Sequence, residues 1–360
     1  MIRAILRAAR PWSFHVPPMR TIVLETDYDD PSAITIARGV EVLARGGLAA
    51  FAAETVYGLG ADALNEHAVA AIFVAKGRPA ANPLIVHVSG IEQARECASH
   101  WPTDAERLAR AFWPGPLTLV LPRSSAIRDL VTAGGATVGL RAPASPVALA
   151  LIRGLGRPIA APSANRSNHV SPTRAEHVIA DLDGMIDLVI DSGPTAIGLE
   201  STVVDLTLAP YRILRPGPIT AQDIEAVLGG ERVVDLAPEQ SAGILKSPGQ
   251  QAVHYAPRAP AYRAETPAEL ARALEIKGVL VAAIGRGSHE LDQARSPCHV
   301  LETPEIAARS FYHLMRRCDA LEPRAIIVVM PPDEPRWRAI RDRIERATRP
   351  LSEWDDGEIG

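Results

Sequence analysis

LAAFAAETVYGLGADALNEHAVAAIFVAKGRPAANPLIVHV, residues 48–88, is the stretch on which the fold is read. It opens on the apolar run Leu48–Ala53 and reaches Glu66–Ala75, whose apolar residues fall on one helical face. It closes on a second apolar run, Pro83–Val88. Short apolar runs bounded by turn residues read as buried strands, and the periodic segment between them reads as a helix. The same alternation continues in both directions. Thr21–Leu24, Leu117–Leu121, Thr137–Arg141, Pro158–Ala161, Leu188–Ile190, Thr202–Leu206 and Tyr211–Leu214 are further strand candidates. Pro31–Arg45, Ile91–Ser99, Thr103–Phe112, Pro146–Arg153, Arg174–Asp181 and Ala221–Leu228 are further helix candidates. Many strands with interspersed helices predict an α/β domain over residues 21–230.

Beyond it the pattern changes. Residues 231–258 scatter Pro, Gly and Gln with no sustained period, which predicts a linker; a loop of that length also suits a lid or binding segment. Gly278–Ile284 and Ala325–Met330 then read as buried strands with a helix, Pro304–Leu321, between them. This predicts a small second α/β domain over 259–360. The tail PRWRAIRDRIERATRP (335–350) is rich in arginine, but Asp342 and Glu345 are interleaved, so a solvated helix face is expected over a nucleic-acid-binding one. At the other end, residues 1–20 carry Arg3, Arg7 and Arg10, and no acid precedes Glu25. The composition is that of a transit peptide, and a true start at Met19 is the simpler reading, so the segment is treated as an extension outside the fold.

Composition narrows the function. A net charge of −4 gives no overall basic surface for a phosphate backbone, so any nucleic-acid contact is expected to be local and weak. No run approaches the length of a membrane span, and no membrane partner is expected. Cys97, Cys298 and Cys318 form no CxxC pair, which speaks against a zinc site or a disulfide framework and suits a reducing, cytoplasmic compartment. No Gly-Lys dipeptide exists, so there is no P-loop, and GxGxxG, GxSxG and HExxH are also absent.

Four segments set polar groups into apolar frames. In AAETVYGLGADA (52–63), Glu54-Thr55 follows a strand and Gly58 and Gly60 relax the backbone, which predicts either a ligand loop at a strand end or a capped turn. In AKGRPAANPLIVHV (75–88), Lys76 and Arg78 stand one residue apart at a helix end, with Asn82 and His87 beyond. Two such cations suit a triphosphate, or simply a helix C-terminus, and His87 could be a satisfied strand histidine. In ATVGLRAPASP (136–146), Arg141 ends a buried run and needs an anion, either a substrate carboxylate or an internal acid. In IAAPSANRSNHVSPT (159–173), Ser163, Asn165, Ser167, Asn168 and Ser171 crowd hydroxyls and amides after a strand, for a nucleotide or for Asx and Ser turns. GLEST (198–202) and LRPG (214–217) add Ser201 and Arg215. Together these place cations and neutral donors on the loops of one domain, which suits a polyanion plus a small zwitterion.

The runs ETVYGLGADA, AKGRPAANPLIVHV, FWPGPLTLVLP, VGLRAP, APSANRSN, ESTVVDL, ILRPGPI and SPGQQAVHYAP resemble those of the YrdC-type threonylcarbamoyl-AMP synthases in their two-domain form. The resemblance spans residue 21 to the end and is densest between Ala52 and Pro218. It implies a twisted, largely β-rich α/β domain with a concave pocket, joined through a linker to a small Rossmann-like domain. It implies a nucleotidyltransferase that turns L-threonine, bicarbonate and ATP into threonylcarbamoyl-AMP and pyrophosphate. That is the first step of N6-threonylcarbamoyladenosine formation at position 37 of tRNAs reading ANN codons, with a threonylcarbamoyl transferase complex downstream. Magnesium is implied as cofactor, held through the ATP phosphates with no direct protein ligand.

Carried over by residue, Thr55, His87, Arg141, the backbone of Ala161 and Ser201 hold threonine, with Arg141 facing its carboxylate. Arg78, Asn82, Thr137, Ser163, Ser171 and Arg215 hold ATP, Lys76 and Asn165 share the phosphate-facing motifs, and Lys76 and Arg78 are the catalytic cations. Tyr255, on the linker, closes over the nucleotide. Ala52-Ala53 stands where the family usually has Pro-Thr, so any hydroxyl contact from position 53 is lost. Two other readings compete: an RNA-binding module without ATP turnover, and the carbamoyl-transfer maturation factor of hydrogenases. The overall acidity argues against the first, and the short length and unpaired cysteines against the second.

Overall fold

The computed structural model describes residues 20–230, 233–235, 255–284 and 298–354. The expected N-terminal extension, save Arg20, and the expected linker, save residues 233–235 and 255–258, lie outside these residues. The chain forms two compact α/β units. The first takes Met1–Ser167, Pro172–Ala196 and Glu200–Gln250; the second takes Asn168–Ser171, Ile197–Leu199 and Gln251–Gly360.

The first unit is built on β1 (Ile22–Glu25), β2 (Ala49–Ala52), β3 (Tyr57–Asp62), β4 (Ile85–His87), β5 (Leu117–Pro122), β6 (Thr137–Arg141), β7 (Ile159–Ala160), β8 (Leu188–Asp191), β9 (Thr202–Asp205), β10 (Tyr211–Arg215) and β11 (Val233–Asp235). They lie in one mixed sheet, in the order β1-β8-β2-β3-β7-β4-β6-β5-β9-β10-β11. Its helices are α1 (Ala33–Ala44), α2 (Glu66–Lys76), α3 (Ile91–Cys97), α4 (Thr103–Phe112), α5 (Pro146–Leu155), α6 (Ala175–Leu182) and α7 (Ala221–Leu228). Strand alternation decides which core each side chain joins. In β2, Ala50 and Ala52 enter the larger cluster with Val69, Ile72, Leu108 and Val178, so that face is covered by α2, α4 and α6. Ala49 and Phe51 point the other way, into a second cluster with Leu43, Val147 and Leu151 from α1 and α5. Every residue of β2 and β3 is buried, as expected where a sheet is covered on both faces.

The glycine-rich stretch after Glu54-Thr55 differs from the expected loop. Tyr57–Asp62 is a strand, paired antiparallel with β2 in the register Phe51↔Gly58 and Ala49↔Gly60. The glycines serve packing: a Cβ on Gly60 would lie 2.6 Å from Phe51 Cε1 and 3.0 Å from Ile159 Cγ2. Helix α2 follows local rules. Asn65 caps its N-terminus by accepting from the His67 and Ala68 amides, and Gly77, at φ 60°, ends it in the left-handed conformation.

The second unit is a parallel sheet of β12 (Ala261–Ala264), β13 (Val279–Ile284), β14 (Cys298–Leu301), β15 (Ala325–Val329) and β16 (Arg349–Pro350), in the order β14-β13-β15-β12-β16. Its helices are α8 (Pro267–Glu275), α9 (Pro304–Ala320) and α10 (Arg338–Ala347). Leu270 and Ala273 of α8 cover the face that presents Val279, Val281, Ile327 and Val329. The expectation of a solvated face for the arginine-rich tail is overturned: in α10, Asp342, Arg343 and Arg346 are buried with Ile340 and Ile344. Asp342 pairs with both arginines, at 2.5 Å to Arg343 and 3.0 Å to Arg346, which offsets part of the cost of taking these charges out of water.

Candidate active site

The first group of expected site residues is organised by strand register. The parallel pairing of β4 and β6 sets His87 beside Arg141, and the Val88 amide donates to the Arg141 carbonyl. The Arg141 guanidinium is buried and held from three sides. Nε donates to the Gly115 carbonyl at 3.1 Å, Nη1 to Thr55 Oγ1 at 3.1 Å, and Nη2 to Glu54 Oε1 at 2.6 Å. The sequence left open whether the anion for Arg141 was internal; it is Glu54, 5% exposed against 4% for Arg141. The other carboxylate oxygen, Oε2, is buried with no hydrogen-bond partner among the described residues. Tyr28 belongs to the same neighbourhood. Burial raises its phenol pKa, a hydrogen bond with Ser145 opposes this, and the charges of Glu54 and Arg141 act on it in opposite senses.

His87 is buried, and its pKa falls to about 3. Loss of hydration is the largest cause, then the positive charges of Arg141 and Arg215, against a backbone hydrogen bond at Ile85 that raises it. The ring is therefore neutral at physiological pH, with Nδ1 lacking a partner among the described residues. Ser201 directly precedes β9, and Arg215 ends β10, which pairs with β9. Arg215 donates from Nη2 to Ser201 Oγ at 3.0 Å and from Nε to the Ser201 carbonyl at 3.1 Å, and Ser201 Oγ lies 2.8 Å from Thr118 Oγ1. Ala161 is fixed by its amide, which donates to the Ile85 carbonyl at 3.0 Å.

The cationic end lies where α2 runs out. Lys76 is 3% exposed, so it does not serve as a solvated cation on a helix end. Its ammonium donates to the Ser163 carbonyl at 2.6 Å, to the Asn165 carbonyl and, at 3.4 Å, to Asn165 Oδ1. Its pKa is held well below the lysine range, first by burial and next by the charge of Arg78, with Asp181 opposing. Arg78 donates from Nε to the Asn82 carbonyl at 3.1 Å and from Nη2 to the Pro83 carbonyl at 2.8 Å. The Asn82 side chain is fully buried, and neither its amide nitrogen nor its oxygen has a partner among the described residues. Ser163 Oγ donates to Asn165 Oδ1 at 2.6 Å, which stiffens the Ser-Ala-Asn loop. Buried cations and an unsatisfied amide form a strong anion-binding set once a ligand supplies oxygens.

Thr137 opens β6 and Arg141 ends it. Four residues apart, they share one face and stand roughly 13 Å apart at about 3.3 Å per residue. Two further expected residues belong to the second unit. Ser171 is buried there. Tyr255, at φ 64° and 1% exposed, is stacked on Tyr312 with ring centroids 5.7 Å apart, and Arg343 lies 5.1 Å above its ring. Sequence reading gave no role to Glu54, Thr118 or Tyr28. For Glu54 the signal was the need of Arg141 for an acid; which acid follows only from the strand pairing.

Two family models match the chain. Residues 41–217 match the Sua5–YciO–YrdC model, described as "Telomere recombination", and residues 219–348 match "Threonylcarbamoyl-AMP synthase, C-terminal domain". The chain is 42% identical over 323 residues to the threonylcarbamoyl-AMP synthase of Pyrococcus abyssi, covering 88% of this chain and 94% of the relative. It is 42% identical over 332 residues to that of Bacillus subtilis, covering 90% and 94%. Among solved structures, it is similar to P. abyssi Sua5 complexed with L-threonine, with a TM-score of 0.83 and 39% identity over 91% of this chain and 99% of the other.

Proposed function

We propose, because this chain belongs to the Sua5–YciO–YrdC family, that it condenses L-threonine, bicarbonate and ATP into threonylcarbamoyl-AMP, releasing pyrophosphate. The observation that carries the reading is the 42% identity to named synthases over nearly their whole length, together with a site of matching chemistry. That site offers buried cations with an unsatisfied amide at one end and a buried guanidinium–carboxylate pair at the other. A triphosphate and an amino acid are the complementary ligands.

In this reading Lys76, Arg78 and Asn82, with Ser163 and Asn165, hold the phosphates, and Thr137 and Arg215 complete the nucleotide contacts. Arg141 keeps one N–H on each terminal nitrogen after its bonds to Thr55 and Glu54, and these receive the threonine carboxylate. Neutral His87 adds no third positive charge beside Arg141 and Arg215. Thr55, Ser201 and the Ala161 backbone complete the threonine contacts.

The threonine amine, having lost its ammonium proton, attacks bicarbonate with loss of water, or CO2 with loss of a proton, to give the N-carboxylate. That carboxylate attacks the α-phosphorus, and the bond to the pyrophosphate oxygen breaks. No side chain forms a covalent bond, so the protein contributes positioning and charge stabilisation. In this reading Lys76 and Arg78 stabilise the negative charge that collects on the leaving group. The donors at this end are cations, hydroxyls and amides, which fits magnesium held by phosphate oxygens and water. Bound in that way, magnesium neutralises phosphate charge. The product passes to a threonylcarbamoyl transferase complex.

Among the described residues no helix is long and apolar enough to cross a membrane. The test is incubation of the full chain with ATP, magnesium, L-threonine and bicarbonate, with mass spectrometry of the products. The adenylate is expected only when all are present; its absence from folded protein refutes the reading.

A further inference from the structure

We infer that Glu54 is a substrate-binding residue, whose free carboxylate oxygen accepts the ammonium of threonine while Arg141 takes the carboxylate. The inference rests on the threonine reading above and adds to it the group that recognises the amine.

The geometry begins with the ion pair. Glu54 Oε1 lies 2.6 Å from Arg141 Nη2, and both side chains are almost wholly buried. Oε2, on the same carboxylate carbon, is also buried and has no partner among the described residues. A buried carboxylate oxygen without a donor is costly, and a ligand that supplies the donor would offset that cost. Threonine is a zwitterion whose two charged groups are joined through a single carbon. Its complement is therefore a cation and an anion in contact, as Arg141 and Glu54 are. When the substrate carboxylate takes the remaining N–H of Nη2, the ammonium falls on the side of Glu54.

The neighbouring charges favour this assignment. Arg141 and Arg215 are cationic and His87 is neutral, so a positively charged amine entering beside them needs a negative group. Glu54 supplies it, and Thr55 keeps the guanidinium in register by accepting from Nη1. The consequence is selectivity. The site recognises an α-amino acid as such and discriminates against the same molecule without its amine.

Isothermal titration of the full chain separates this role from simple support of Arg141. The ligands are L-threonine, ATP and 3-hydroxybutanoate, which is threonine without the amine. In Glu54→Gln, L-threonine affinity is expected to fall on the order of 10- to 100-fold, the usual range for a lost charge-assisted hydrogen bond. Affinity for 3-hydroxybutanoate and for ATP is expected to stay within about threefold of wild type, less than a single lost neutral hydrogen bond would cause. Equal losses for L-threonine and 3-hydroxybutanoate would mean that Glu54 acts only through Arg141, and would overturn the inference; so would unchanged threonine affinity. If Glu54→Gln fails to fold, Glu54→Asp gives the same readout, because its carboxylate is kept but drawn back. A smaller threonine-to-hydroxybutanoate preference is then expected, and an unchanged one counts against Glu54. Wild-type protein that binds no L-threonine at all would instead refute the functional reading itself.

Discussion

Lowering the pH tests the neutral state of His87. Its pKa falls from the usual value of 6.5 to about 3 in the folded chain. The unfolded chain therefore takes up a proton as pH drops below 6.5, while the folded chain does so only near 3. Stability is full above pH 6.5 and falls as pH falls toward 3. Between pH 7.5 and pH 5 this group alone costs about 2 kcal/mol, from about 1.4 kcal/mol per unit of separation. The chain has ten histidines, so the effect is read as a difference. Urea unfolding of wild type and His87→Asn at both pH values should give a wild-type loss larger by about 2 kcal/mol. NMR of the ring nitrogens should show His87 neutral throughout that range. Parallel stability profiles, or a ring that titrates near pH 6.5, would refute the burial and charge argument.

Other substitutions probe separate links. Arg141→Ala should raise the threonine requirement on the order of 100-fold or more with little change in ATP binding; it should also cost about 3–5 kcal/mol of stability, because Glu54 is left buried and unpaired. Equal losses for threonine and ATP in steady-state kinetics would count against its assignment to the amino-acid end. Gly60→Ala should destabilise the first unit by about 1–3 kcal/mol through its clash with Phe51 and Ile159, seen as a lower urea midpoint. An unchanged midpoint would show that β2 and β3 are not packed as closely as described.

Much of the first unit was legible because its strands are short, apolar and bounded by turns. Thr103–Phe112, Thr137–Arg141 and Ala221–Leu228 carry the same limits in the sequence reading and in the structure. Tyr57–Asp62 was not legible, since glycine depresses strand propensity and its value there lies in contact with Phe51 and Ile159, distant in the pattern. The buried face of α10 was hidden for a related reason: arginine reads as solvent-facing unless its partner is known, and Asp342 pairs with two arginines. At the candidate site the sequence indicated that Arg141 needs an anion and that Lys76 and Arg78 stand close. It could not choose Glu54, because that choice depends on which strand ends the sheet order brings together. Nor could it foresee that the Lys76 ammonium turns inward onto the Ser163 and Asn165 carbonyls.

The central claim is that bicarbonate carbon joins the threonine amine to AMP on this chain. Carbon-13 bicarbonate supplied with ATP, magnesium and L-threonine tests it most directly. The account predicts an adenylate heavier by the one labelled carbon, formed with pyrophosphate and absent when threonine is omitted. ATP consumption without a labelled adenylate, or pyrophosphate release that ignores threonine, would contradict it.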